Sequence, residues 1–420
     1  VRKNATGCTQ NSKPTANPWP QSKAQGHSKI EGNMKTIVTY FIVATVAIFA
    51  ASSAYAQIFT EIVTVPAFSA ANNGPPVRDA IGNLYSASGY GGLQSCMQGE
   101  GCGFILKVDP TGKPTVIYRF QGQPDGATPL PGLVLDSAGN IYGTTESGGA
   151  FNFGTVFKVD VAGNETVLHS FSGPPNDGEQ PFSGLIRDAR GNLYGTTSEG
   201  GLGTCFGAGC GTVYRVSPVG KETVLYRFSG GADGAIPWAS LLLAGGALYG
   251  TTADGGNLKC QAPGNAIAGC GTVFKLDNTG ETVLYSFNDG VDGGFPVAGV
   301  VRDAAGNLYG GTEDGGDLSC NSGFGCGVAY KLDPSGNETV LHTFQGIQDG
   351  ETVHAGLVLD QGNLYGSTLV GGGIFQIDMS GNFSVIYALN SNGTGPSTMI
   401  RDSEGNLYGT YGDEFFRFMP

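Results

Sequence analysis

Three sets of residues in this chain have the types and spacing that chemistry needs. The first is cysteine. Eight of the nine fall in close pairs, Cys96/Cys102, Cys205/Cys210, Cys260/Cys270 and Cys320/Cys326. In an exported chain such pairs read as disulfides that stiffen long loops; the rival reading is zinc held by pairs from neighbouring loops. The second set is acidic. Asp-Gly steps recur at Asp125, Asp177, Asp233, Asp292 and Asp349, and Gly-Gly loops add Glu146, Glu199, Asp254, Glu313 and Asp314. A ring of carboxylates suits calcium, or an acid/base pair for glycoside chemistry, whereas Asp-Gly at a fixed place in a repeat is also ordinary turn chemistry. The third set is Leu130, Phe182, Trp238, Val297 and His354, one at the head of each of five short aliphatic runs. Trp238 and Phe182 offer faces on which a sugar ring can stack; wedge packing between repeats is the alternative use of the same residues.

These residues are positioned by a repeat. Asn-Leu-Tyr-Gly or a close variant occurs seven times, with its tyrosine at Tyr85, Tyr142, Tyr194, Tyr249, Tyr309, Tyr365 and Tyr408. Around it each unit reads as four strands: an aliphatic run ending in Asp, the Leu-Tyr-Gly strand, a Gly-Thr-Val-Phe-Lys-Leu-Asp strand and a Glu-Thr-Val-Leu-Tyr-Ser-Phe strand. Two tight turns and one variable Gly-Gly loop join them. Four antiparallel strands in a unit of about 45 to 60 residues predict a propeller blade. The last unit runs one strand short, and Glu61–Phe68 aligns with the missing Glu-Thr-Val-Leu-Tyr-Ser-Phe strand. The chain is therefore expected to be an all-β, seven-bladed propeller of residues 57–420, closed three-plus-one by its N-terminal strand. The tight turns then share one face, and the Gly-Gly loops and inter-unit links share the other, where binding is expected.

Ahead of the repeats lie two segments outside the expected fold. Residues 34–56 have a basic start at Lys35, an apolar core and an Ala54-Tyr55-Ala56 site, which together read as a secretory signal with cleavage before Gln57. Residues 1–33 read as an upstream leader, which makes Cys8 and His27 irrelevant to the mature chain. Residues 57–420 carry 16 Lys and Arg against 34 Asp and Glu, a net charge of −18. That acidity excludes nucleic acid and anionic lipid as partners, and no further apolar stretch is long enough to span a membrane.

In its repeated signature the chain resembles the GloVer tandem-repeat family of secreted bacterial proteins. The matching residues are Gly-Asn-Leu-Tyr-Gly-Thr-Thr, the Gly-Gly pair, and the third and fourth strands at Gly271–Asp277 and Glu281–Phe287. The resemblance covers nearly all of residues 57–420. It implies repeats and export, with a C-terminal anchor that varies among members and is not expected here. It supplies no reaction and no catalytic residues.

Catalytic signatures are otherwise missing: there is no Gly-x-Ser-x-Gly, His-Glu-x-x-His or phosphate loop. His169 and His342 stand where other units have Tyr226 and Tyr285, a packing substitution, so His354 is the histidine of interest. Arginine stands at the foot of alternate inner strands, Arg78, Arg187, Arg302 and Arg401, either as an anion site or as residues that are solvated or paired with the adjacent Asp. The expectation is a secreted monomer that binds a carbohydrate or an extracellular protein on its loop face, with no cofactor unless the acidic loops take calcium. A polysaccharide lyase or glycosidase is the alternative, and a structural surface or matrix component the third reading.

Overall fold

In five of the seven units the first tight turn is organised by one carboxylate. In Asp188-Ala-Arg-Gly-Asn, Asp188 Oδ1 accepts the backbone N–H groups of Arg190 and Asn192, and Oδ2 accepts Asn192 Nδ2 and the Tyr194 hydroxyl. Gly191 closes the turn at φ +84°, a conformation that side-chain-bearing residues seldom adopt. Burial opposes ionisation of Asp188, but the hydrogen bonds from Asn192 and Tyr194 outweigh it and hold the carboxyl below its ordinary range. Asp79, Asp136, Asp303 and Asp402 repeat this Asp–Asn–Tyr network. Turn signal and strand signal thus meet in the Asn-Leu-Tyr motif itself.

In the computed structural model, which describes residues 57–66, 75–93, 96, 99–260, 267–346, 349–371, 373–388 and 395–420, these units are seven four-stranded antiparallel blades. Blades are numbered 1 to 7 by their motif tyrosine. Blade 4, for example, comprises Leu242–Ala244, Ala247–Thr252, Thr272–Asp277 and Gly280–Ser286 in that order from the inside out. Inner strands are only two or three residues long, because the chain turns away above them to form the loop face. Two additions to the expected pattern occur in the links: Gly126–Pro129 pairs with the second strand of blade 2, and Gly178–Glu179 pairs with Glu199–Gly200. The leader and signal read from the sequence lie outside the described residues.

Blade 7 closes the ring. Its strands Ile400–Arg401, Leu407–Tyr411 and Glu414–Met419 take Ile58–Thr64 as the fourth. The expected alignment of Glu61 with the first residue of the fourth-strand motif is off by two. Glu61 faces Phe416 and Val63 faces Phe415, as Val224 faces Tyr214 and Tyr226 faces Val213 in blade 3, so Phe59 holds the glutamate's place. A slip of two keeps every side chain on its own face of the sheet, so the hydrophobic pattern tolerates it. The slip stacks Phe59 on Tyr387 at 4.3 Å, and it puts Val65 in the buried place taken elsewhere by phenylalanine.

The core lies in the seams between blades. In five seams an aromatic at the end of the outer strand inserts against the third strand of the next blade: Phe120–Phe157, Phe171–Tyr214, Phe228–Phe274, Phe287–Tyr330 and Phe344–Phe375, with centroids 5.0–5.2 Å apart. All ten are buried to within 1% of their surface. Burying one such ring stabilises by roughly 1.5–3 kcal/mol, and an edge-on pair adds about 0.5–1.5 kcal/mol. These rings also explain the motif glycine. A Cβ on Gly143 or Gly250 would lie 2.6 Å from the ring of Phe157 or Phe274 in the same blade. Blade 1 is the exception that fits: Ser86 replaces the glycine where Leu106 replaces the aromatic.

The arginines make contacts across the seams. Arg78 lies over the ring of Tyr408, Arg187 over Tyr142 and Arg302 over Tyr249, each in the preceding blade, while Arg401 pairs with Asp360 of blade 6 at 2.6 Å.

Gly250→Ala is expected to destabilise the protein by roughly 1–3 kcal/mol through overpacking. Adding Phe274→Leu, which recreates blade 1, should make Ala at 250 cost less than it does opposite phenylalanine. Denaturant unfolding of the four-member cycle checks this; strictly additive effects would contradict the contact.

Candidate functional site

The head of each inner strand is held by a short chain of backbone contacts, and these place the expected rim residues. Two residues before each rim position stands a non-glycine residue in left-handed conformation: Thr128, Gln180, Ile236, Phe295 and Thr352, with φ from 55° to 66°. Backbone strain of this kind costs about 1–3 kcal/mol and persists only where the surroundings impose it. Here the N–H of the strained residue donates to the preceding blade's Gly-Gly loop. Thr128 donates to Cys102 O, Ile236 to Cys210 O, Phe295 to Cys270 O and Thr352 to Cys326 O; Gln180 donates to Phe153 O of blade 2, which has no cysteine pair.

The cysteines form the disulfides Cys96–Cys102, Cys205–Cys210, Cys260–Cys270 and Cys320–Cys326. The second cysteine of each is thus both a covalent tie within its loop and the carbonyl that seats the next rim. Four disulfides indicate an oxidising, extracytoplasmic setting. A second tie comes from the Leu-Tyr-Gly strand. Thr144 donates to Ser183 O, Thr196 to Pro237 O and Thr251 to Ala298 O, each beside a rim residue of the next blade.

Below the rim the inner strands approach closely through small residues. Gly132 and Gly184 are near contact, with Leu185 N–H donating to Gly132 O, and Gly356 N–H donates to Thr398 Oγ1 at 2.7 Å. Between them lies a cavity of about 470 Å³ that runs from Phe182, Trp238, Val297 and His354 down to Leu242 and Val301. Four of the five expected rim residues therefore converge. Leu130 does not: it is buried, 1% exposed, with its N–H on Thr144 O, and it takes no part in the cavity. Its neighbours Gly132 and Gly184 press blades 2 and 3 together on that side.

One wall of the mouth is aromatic. Trp238 is 37% exposed and packs edge-on to Phe295 at 5.6 Å and obliquely to Phe182 at 6.4 Å. Sequence reading passed over Phe295, although its signal was present: it is the bulky residue at the strained position of blade 5. On the same cavity, His354 Nδ1 is paired with the carboxylate of Glu313, one of the acidic loop residues. The pair is half-buried and joins blades 5 and 6. Glu313 thus orients the imidazole, the role a carboxylate plays wherever histidine must hold one tautomer.

The other acidic residues are dispersed. Each Asp-Gly carboxylate accepts a backbone N–H of its own link and a ring group of its own outer strand: Asp125 takes Tyr118, Asp177 takes His169, Asp233 takes Tyr226, Asp292 takes Tyr285 and Asp349 takes His342. Glu199 lies opposite Glu179 across a two-residue ladder, and burial pushes it and Glu146 up from their ordinary values. Asp254 is pushed up to about 7 by burial, and Asp314 to about 7 by burial and then by Glu313 and Asp289.

At the seams, Glu165, Glu281 and Glu338 are each pushed up to about 7, first by burial and then by Asp125, Asp233 and Asp292. A raised folded value means that the folded state holds these protons longer than the unfolded chain, whose glutamates titrate near 4.5. Stability should therefore fall as pH rises from about 4.5 to about 7 and stay lower above it. Replacing the three with glutamine should raise the melting temperature at pH 8 relative to the wild type, with little change at pH 4.5. Equal shifts at both pH values would contradict the assignment.

A model of the Gloeobacter/Verrucomicrobia repeat matches residues 45–262, 202–373 and 253–414. No curated protein sequence matches the chain. Among solved structures, a streptogramin B lyase is similar at 14% identity and TM-score 0.55, over 86% of this chain and 97% of that one. A gluconolactonase from Xanthomonas campestris is similar at 12% identity and TM-score 0.44, over 86% of this chain and 89% of that one. At 14% identity the likeness to the lyase is one of fold. No helix among the described residues is long and apolar enough to cross a membrane.

Opening both disulfides that flank blade 4, with Cys205→Ser/Cys210→Ser and Cys260→Ser/Cys270→Ser, should speed hydrogen exchange of the Ile236 and Phe295 amides by roughly tenfold or more. Unchanged exchange there would show that the loops seat the rim without their disulfides.

Proposed function

For a chain that belongs to the Gloeobacter/Verrucomicrobia repeat family, we propose the role of a secreted binding protein whose channel mouth recognises a carbohydrate. The observation that carries this reading is the mouth itself. Phe182 and Trp238, the latter backed by Phe295, and the His354 imidazole, backed by Glu313, line one cavity of about 470 Å³. That volume falls within the range of small-molecule sites, which are mostly apolar with a few fixed polar groups. A sugar ring has the matching anatomy, with an apolar face of C–H groups to stack and hydroxyls at its edge to bond. The strained backbone and the disulfide ties supply preorganisation, which lowers the entropic cost of binding. Export follows from the signal read at residues 34–56 and agrees with the disulfides. Protein recognition by the same face is the competing binding mode, and calcium remains a candidate only for the acidic loops.

A second reading, a carbohydrate-active enzyme, has one observation in its favour: an imidazole oriented by a carboxylate is the standard arrangement of a general base. A glycosidase would need two carboxylates flanking the cleft; among the described residues none lines the cavity directly, and Glu313 reaches it only through His354.

A thermal-shift screen of the purified protein against oligosaccharides and polysaccharides, with product analysis of each hit, tests the proposal. A saturable shift with intact ligand supports binding, and shortened or unsaturated products promote the enzyme. For a hit, Trp238→Ala should weaken affinity roughly tenfold or more while costing no more than about 1.5 kcal/mol of stability. A larger stability loss with unchanged affinity would sink the platform role of Trp238.

A further inference from the structure

The seam between blades 2 and 3 differs from its siblings by one substitution. In three other seams a tyrosine of the outer strand, the link aspartate and the first glutamate of the next outer strand come together: Tyr118, Asp125 and Glu165; Tyr226, Asp233 and Glu281; Tyr285, Asp292 and Glu338. Each leaves one glutamate oxygen buried and without a hydrogen-bond partner. Between blades 2 and 3 the tyrosine is His169, so an imidazole meets both carboxylates, Asp177 and Glu222. One ligand atom from each lies within 4.8 Å of the other two. Between blades 5 and 6, His342 and Asp349 recur, but Phe383 takes the glutamate's place and stacks on the imidazole at 3.7 Å. Among the described residues, histidine, aspartate and glutamate meet in this way at the seam of blades 2 and 3 alone.

We propose that His169, Asp177 and Glu222 bind a divalent ion of zinc type across the seam of blades 2 and 3. His169 Nε2 and Asp177 Oδ2 stand 3.1 Å apart, close to the roughly 3.3 Å edge that tetrahedral ligands make at zinc bond lengths. Glu222 Oε1 is buried without a partner, so its ligation breaks no hydrogen bond of that oxygen, while the His169–Asp177 hydrogen bond gives way to the ion. Two carboxylates and a neutral imidazole balance a double positive charge, and the imidazole favours zinc over calcium, which prefers oxygen ligands. Around the ligands, the Ser172 backbone N–H and hydroxyl donate to Asp177 Oδ2 and the Gly178 N–H to Oδ1. These bonds fix the carboxylate as outer hydrogen bonds do in metal sites. Arg227 also faces Glu222, but its guanidinium is engaged by the Asn176 carbonyl at 2.7 Å. Protons compete for Glu222, so binding strengthens as pH rises. The ion would bridge two blades, stabilising a seam far from the channel mouth.

The test is equilibrium dialysis of the metal-stripped, tag-free, oxidised full chain against zinc at pH 8, followed by elemental analysis. One zinc per chain is expected, and excess calcium should not displace it. His169→Tyr restores the sibling seams' residue and should fold with an unchanged melting temperature in the absence of metal. It should bind zinc at least roughly tenfold more weakly, and Glu222→Gln should likewise. His342→Tyr should bind as the wild type does. No zinc uptake by the wild type, full uptake by His169→Tyr, or loss on His342→Tyr would each overturn the proposal.

Discussion

The structure depends on one contact made again and again: an aromatic ring at the end of an outer strand, set edge-on against the third strand of the next blade. A single four-stranded sheet of this size buries too little to hold itself together, so each blade is stable only against its neighbours. The ring contact meets that need. It also dictates sequence within the blade, because the third-strand ring that receives the contact leaves room only for glycine opposite it in the second strand, where even a methyl group would collide. The Asn-Leu-Tyr-Gly motif is thus two constraints fused: a turn network that uses Asn and Tyr, and a packing requirement that uses Gly.

The same seams carry the functional consequence. Since each loop's carbonyl seats the head of the next blade's inner strand, the mouth of the channel is an assembly of neighbours rather than a property of any one blade. Variation enters where the packing rule is silent. The rim position is leucine, phenylalanine, tryptophan, valine or histidine in successive units, and the residue two before it is equally free. A rigid, repetitive scaffold thereby presents a non-repetitive surface, as binding sites on loops commonly are.

The repeat, its four strands and the ring closure were legible in the sequence because they depend on patterns local to each unit. So was most of the rim, since the head of a strand can be counted from its motif. The failures share a physical cause. Leu130 carries the rim position but is packed away, because two glycines let blades 2 and 3 come too close there; a single sequence does not show which neighbours touch. The slip of Glu61 by two residues was invisible because an even slip preserves the alternation. The arginines over Tyr408, Tyr142 and Tyr249, and the pairing of Glu313 with His354, join residues of different blades. Those partners are identified by folding, and no local spacing encodes them.

The central claim is that the channel mouth is the ligand site, and Trp238 tests it directly, because it is the one tryptophan within residues 57–420. Intrinsic fluorescence of that segment, titrated with each oligosaccharide that raises the melting temperature, reports on the mouth and nowhere else. The account predicts a saturable change in Trp238 emission with the same dissociation constant as the thermal shift. A ligand that stabilises the protein while leaving Trp238 emission unchanged binds elsewhere, and would contradict it.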